Sequence, residues 1–78
     1  MPPSDEAIRA AILSLTARRA GSICPSEAAR LLAADWRALM PAVRQVALAM
    51  ARTGEIAVTQ GGRPVEGAPR GPIRLRRP

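Results

Sequence analysis

The hydrophobic pattern of this chain changes period once, at Gly54, and that switch limits what the chain can fold into. Before Gly54, apolar residues recur at spacings of three and four, as one buried face of a helix requires. After it they alternate every second residue, as a half-buried strand requires. With 78 residues the chain buries only roughly 60% of its unfolded surface, so helices and strands must share one core. The expectation is a single α+β domain over residues 1–78.

Three helices are legible. Ser4 is a good N-cap, Asp5 and Glu6 complement the dipole of the first turn, and Ile8, Ala11, Ile12 and Leu15 form the apolar stripe. Arg18 and Arg19 in the last turn and Gly21 at the C-cap position end this helix, which is expected over about 5–20. Pro25 suits a first helical position and Glu27 favours the N-terminus that follows it. Ala28, Leu31 and Leu32 give this second helix a narrow apolar face up to about Ala34. Asp35 is placed to cap a third segment, in which Trp36, Leu39, Val43, Val46 and Met50 line one stripe, joined by Met40 and Ala47. Pro41 removes a helical hydrogen bond and leaves two readings open: one helix, or a turn over 36–40 leading into a helix at 41–52. Gly54 stops it.

Ile56 and Val58, then Ile73 and Leu75, alternate with small or charged residues and read as two strands. Between them, 61–64 and 67–72 are rich in Gly and Pro, which predicts an antiparallel hairpin with a long basic tip. A bare hairpin is marginal in water, so the short extended piece around Ile23 is expected to pair with it and the helices to pack beneath. Helix, extended piece, helix, helix, strand, basic loop, strand is the order of a three-helix winged helix-turn-helix with a small antiparallel β-hairpin wing.

Three blocks, Ser22-Ile23-Cys24-Pro25-Ser26-Glu27-Ala28-Ala29-Arg30, Trp36-Arg37-Ala38-Leu39-Met40-Pro41-Ala42-Val43-Arg44 and Arg70-Gly71-Pro72-Ile73-Arg74-Leu75, carry a further signal together with Val58-Thr59-Gln60. They resemble a family of small, largely bacterial proteins of unknown function, from the first helix to Leu75. The resemblance implies a winged-helix fold and no established ligand, substrate or catalytic residue.

Composition narrows the function. Twelve Arg against six acids give a net charge of +6, which attracts nucleic acid first, then an acidic protein or an anionic membrane surface. The chain has no His, Lys, Tyr or Asn and one Cys, so neither a Ser-His-Asp nor a Cys-His nucleophile system can be assembled within it. A zinc site lacks ligands and an internal disulfide lacks a partner. No catalytic site, cofactor or metal is expected. Ala, Arg, Pro and Gly supply 42 of the 78 residues, a codon bias that points to a GC-rich bacterium and weakens any argument from Arg replacing Lys. The longest uninterrupted apolar run, Val46 to Ala51, is too short for a signal peptide or a membrane span. The expectation is a cytoplasmic protein that does not contact a membrane.

Candidate contacts fall in two places. The second helix of a helix-turn-helix enters the major groove, and here its outer face would present Arg37, Pro41, Arg44 and Gln45. Arg suits guanine and Gln suits adenine. The plainer alternative is a solvated face, with Arg37 paired to Asp35 or Glu27. The wing carries Arg63 and Arg70, and the last strand and tail carry Arg74, Arg76 and Arg77. Five Arg against Glu66 between residues 61 and 78 favour phosphate contact over simple protection of a sheet edge. The expected nucleic-acid-binding set is therefore Arg37, Arg44, Gln45, Arg63, Arg70 and Arg74, with double-stranded DNA as the partner. The alternative function is a protein-interaction or assembly module, including a homodimer, that makes no nucleic-acid contact. Trp36 is expected in the core rather than stacked on a base. Cys24 reads as a small buried residue, with a redox-sensitive thiol as the alternative. Ser26 and Glu27 read as helix capping with an Arg30 contact rather than as a catalytic pair. Leu48, opposite the apolar stripe, packs under the wing or forms a dimer contact.

Overall fold

Helix α1 (Asp5–Arg18) starts where Ser4 Oγ accepts the Ala7 N–H at 3.2 Å. The structure, a computed structural model, describes residues 1–65, 67 and 69–78. Ile8, Ala11 and Ile12 are buried, and buried Thr16 donates its hydroxyl to the Ile12 carbonyl at 2.9 Å, which satisfies its polar group. The helix stops short of the expected residue 20, and Gly21 is not a left-handed cap. Arg19 is already extended, because the next residues must carry Ile23 to the sheet.

Helix α2 (Pro25–Leu32) is anchored by Glu27, whose Oε2 accepts the Cys24 N–H at 2.9 Å. Its buried face is Pro25, Ala28 and Ala29, with Leu32 half-buried behind them. Leu31, expected on that face, is 63% exposed. The stripe starting at Pro25 advances by three, four and seven residues and passes through Ala29, not Leu31. Alanines there let α2 approach its neighbours closely.

Helix α3 (Trp36–Arg52) is continuous through Pro41, so the single-helix reading holds. Leu39, Val43, Ala47 and Met50 are buried along it. Pro41 lies on the exposed side, where water can satisfy the carbonyl its missing N–H leaves free. The helix ends at Gly54, at φ +81°. The Gly54 N–H donates to the Ala51 carbonyl at 3.1 Å and the Glu55 N–H to the Met50 carbonyl at 3.0 Å, a Schellman closure that needs a left-handed residue.

The sheet has three strands, β1 (Ala57–Gln60), β2 (Arg63–Pro64) and β3 (Arg74–Arg76), in the order β2-β1-β3 and all antiparallel. Val58 faces Leu75 across β1 and β3, and Ile23 bridges Leu75 on the other edge of β3. The expected long-tipped hairpin is more ordered than that. Gly61 and Gly62, both at positive φ, form a two-residue turn that folds β2 back onto β1. Ile56, Val58, Ile73 and Leu75 close over Ile8, Ile12, Ile23 and Val43, so one core joins both halves. The architecture is α+β, three helices with a small antiparallel sheet, in a winged-helix-like arrangement. Among the described residues no helix is long and apolar enough to cross a membrane, and no group of His, Cys, Asp or Glu side chains could hold a metal ion.

Pro41→Ala restores a helical N–H on an exposed face. It is expected to stabilise the fold by about 1–2 kcal/mol after allowance for the looser unfolded chain, a Tm increase of roughly 5–10 °C. An unchanged or lower Tm in calorimetry would show that Pro41 has a packing role.

Candidate nucleic-acid interface

Two side chains fix the basic loop that leads into β3. Arg44 Nη2 donates to the Pro69 carbonyl at 2.8 Å and Nη1 to the Gly71 carbonyl at 3.0 Å. Gln60 Nε2 donates to the Arg70 carbonyl and, at 3.1 Å, to the Pro72 carbonyl. Four successive carbonyls are thus taken alternately by a guanidinium fork and an amide. The loop cannot do this for itself, since Pro69 and Pro72 carry no N–H. Gly71 sits at φ +82°, where a side chain would be strained. The Arg70 backbone is therefore held while its side chain stays exposed. The only sequence signal for Gln60 is its position at the end of β1, just before the Gly-Gly turn.

The other expected residues do not form one face. Arg63 lies opposite Gln60, and strand alternation puts both on the helix side of the sheet with Val58. Arg74 and Arg76 flank buried Leu75 and point the other way. Arg74 is tied to the chain before α2, its Nε donating to Ser22 Oγ at 2.9 Å and its Nη2 to the Ser22 carbonyl at 3.0 Å. It straps β3 to the helical half and is separated from the wing arginines.

On α3, Arg37 and Arg44 lie seven residues apart on one stripe, two turns along the helix. Arg44 is committed to the wing loop, so the side chain expected to read a base aims at protein carbonyls. Gln45, on the next stripe, lines a cleft with Asp5, Glu6, Arg9, Arg52 and Glu55. Arg37 pairs with neither Asp35 nor Glu27. Its guanidinium carbon lies 4.5 Å from the centre of the Trp36 ring. Trp36 is half-buried and packs against the core as expected. Leu48 lines a shallow hollow with Ala51, Arg52, Val65 and Gly67, which places it under the wing.

The ion pairs draw charge away from the opposite end. Arg9 pairs with Glu55, and Arg19 with Glu27 at 2.6 Å, so Arg30 is not the partner of Glu27. Cys24 is half-buried and its Sγ accepts the Ser26 hydroxyl at 3.1 Å. Asp5, Glu6 and Glu55 gather around the cleft between α1 and the end of α3. From Ile56 onward the described residues carry five Arg and no acid, Glu66 lying outside them.

Both paired carboxyls titrate below their ordinary value of 4.5. For Glu27 the main cause is the Cys24 N–H, followed among the lowering causes by Arg19, with burial opposing. For Glu55 it is the Thr53 hydroxyl and then Arg9. A carboxyl depressed in the fold contributes stability above its unfolded pKa and loses it as pH falls through the folded one. Urea midpoints are therefore expected to be level above about pH 5.5 and to drop below about pH 4.5. Glu27→Gln should lower the neutral-pH midpoint and shrink the acid drop; an acid drop of undiminished size would remove Glu27 as a source.

Arg44→Ala removes two charge-assisted hydrogen bonds and is expected to cost about 1–2 kcal/mol. Backbone order parameters from NMR relaxation should fall at Arg70 and Gly71, while those of α1 stay as they are. Unchanged order in that loop would mean that Gln60 alone holds it.

Among curated proteins no relative of this sequence was found. A family model described as "Protein of unknown function (DUF3253)" matches residues 5–78, which spans all three helices and the sheet, and the chain belongs to that family.

Proposed function

We propose that the domain is a non-enzymatic winged-helix module of a bacterial cytoplasmic protein that grips the backbone of double-stranded DNA. The observation that carries this reading is the clamp of Arg44 and Gln60, which holds the wing loop so that exposed Arg70 is presented without ordering the loop on binding. Exposed Arg63 on β2 and exposed Arg37 at the start of α3 add two further cations. Arg44 acts as a positioning residue. Of the residues fit to read a base, Arg44 is engaged and Gln45 is turned to the acidic cleft, while Ala38 and Pro41 are exposed on α3. This favours phosphate contacts, which position a duplex without reading it.

A labelled random duplex of about 20–25 bp, followed by fluorescence anisotropy at several salt concentrations, tests the reading. With three to four phosphates neutralised, log affinity should fall against log salt with a slope of about −3. Arg63→Gln and Arg70→Gln should each weaken all sequences alike and reduce the slope by about 0.9. Absence of binding at low salt would overturn it.

A second reading has its own support. Leu31, Ala34, Ala38 and Pro41 are all exposed around the α2–α3 junction, an apolar surface suited to a protein partner or a second copy of the chain. Concentration-dependent association in sedimentation velocity, together with no duplex binding, would favour this reading.

A further inference from the structure

Arg30, in the last turn of α2, and Arg37, in the first turn of α3, converge on the same ring. Their guanidinium carbons lie 4.3 and 4.5 Å from the centre of Trp36. Among the described residues neither side chain has a hydrogen bond or a carboxylate partner, and both residues are exposed. Two like charges gathered around one point repel each other, and cation–π attraction to a half-buried ring holds them there. Stacking also restrains two long side chains that would otherwise lose rotamer freedom on meeting a ligand, while leaving their planar N–H forks open. An anionic oxygen group bound beside the ring offsets the repulsion and accepts from the open forks.

We infer that Arg30 and Arg37, positioned by Trp36, form a phosphate clip at the α2–α3 junction. The inference rests on the proposed duplex-binding reading and adds Arg30 as a binding residue and Trp36 as a positioning residue. Arg37 stands two turns from Arg44 on α3, about 10.5 Å along the helix, so the clip and the wing engage different phosphates. The α2–α3 turn and the wing then hold the duplex at two separated points.

Trp36 is the only aromatic residue in the chain, so intrinsic emission reports on this ring alone. The wild-type chain is titrated with the duplex, and separately with inorganic phosphate, while emission and anisotropy are followed. Arg30→Gln/Arg37→Gln is compared with Arg18→Gln/Arg76→Gln, which removes the same charge elsewhere on the surface. The expected result is an emission change that tracks duplex binding and a salt slope reduced by about 1.8 in the first variant, with a clearly smaller reduction in the second. Duplex binding with unaltered emission and equal losses in both variants overturns the clip and leaves the duplex reading standing. A saturable response to phosphate without duplex binding overturns the duplex reading and assigns the clip to a free phosphate. No response to either ligand overturns both.

Discussion

One residue pair makes the backbone link between β3 and the chain that leads into α2. Ile23 and Leu75 exchange both backbone hydrogen bonds, at 2.7 and 2.9 Å, and both side chains are fully buried. The bridge is a single pair long, yet it sets where β3 runs and where α2 begins, because Cys24 and Pro25 follow directly. With no Phe or Tyr in the chain, the core relies on branched aliphatic side chains meeting from both sides. Ile8 and Ile12 come from α1, Val43 from α3, and Val58 and Ile73 from the sheet half. Loss of the bridge would leave β3 paired with β1 alone and loosen these contacts beneath the strand that follows the wing loop.

The arginines divide according to what surrounds them. Arg9 and Arg19 answer carboxylates, Arg44 and Arg74 answer carbonyls left without donors, and Arg30 and Arg37 rest on a ring. Arg is suited to all three tasks, since its fork delivers two parallel donors and its flat face stacks. Net charge therefore overstates the binding surface. A +6 chain could be read as uniformly sticky to polyanions, but much of its cationic charge is occupied by the fold. The remaining arginines are exposed: Arg63 and Arg70 on the wing, Arg18 and Arg52 at the ends of α1 and α3, and Arg76 and Arg77 on β3 and the tail.

Periodicity made the helices and both main strands legible, because burial on one face constrains spacing whatever the side-chain identity. It misjudged the α2 face for a related reason. Leu31 attracts attention as a large apolar residue, whereas the geometry from Pro25 selects Ala29, whose small side chain gives a weak hydrophobic signal. β2 was hidden because it is two residues long and one of them is Pro64. The turn before it was visible as Gly61-Gly62, but a pair of glycines in a basic loop fits a disordered tip as well as a tight turn. The site was legible as residue types and not as an arrangement. Nothing local to Arg44 indicates that its acceptors lie 25 and 27 residues away, and nothing local to Arg74 indicates a partner 52 residues away. Contacts of that separation are fixed by topology alone.

A loop rich in Pro and Gly is usually a poor platform for recognition, since ordering it on binding offsets part of the interaction energy. Here the same residues make a held loop possible. Pro69 and Pro72 limit the backbone angles and remove internal donors, which leaves the carbonyls for Arg44 and Gln60. Gly71 allows the left-handed residue between them. Pairing Arg44 with these carbonyls rather than with a carboxylate also has an electrostatic consequence. The guanidinium is hydrogen-bonded but not neutralised, so its charge still adds to the field around Arg70. A cation that builds the loop thereby continues to attract the anion that the loop is proposed to meet.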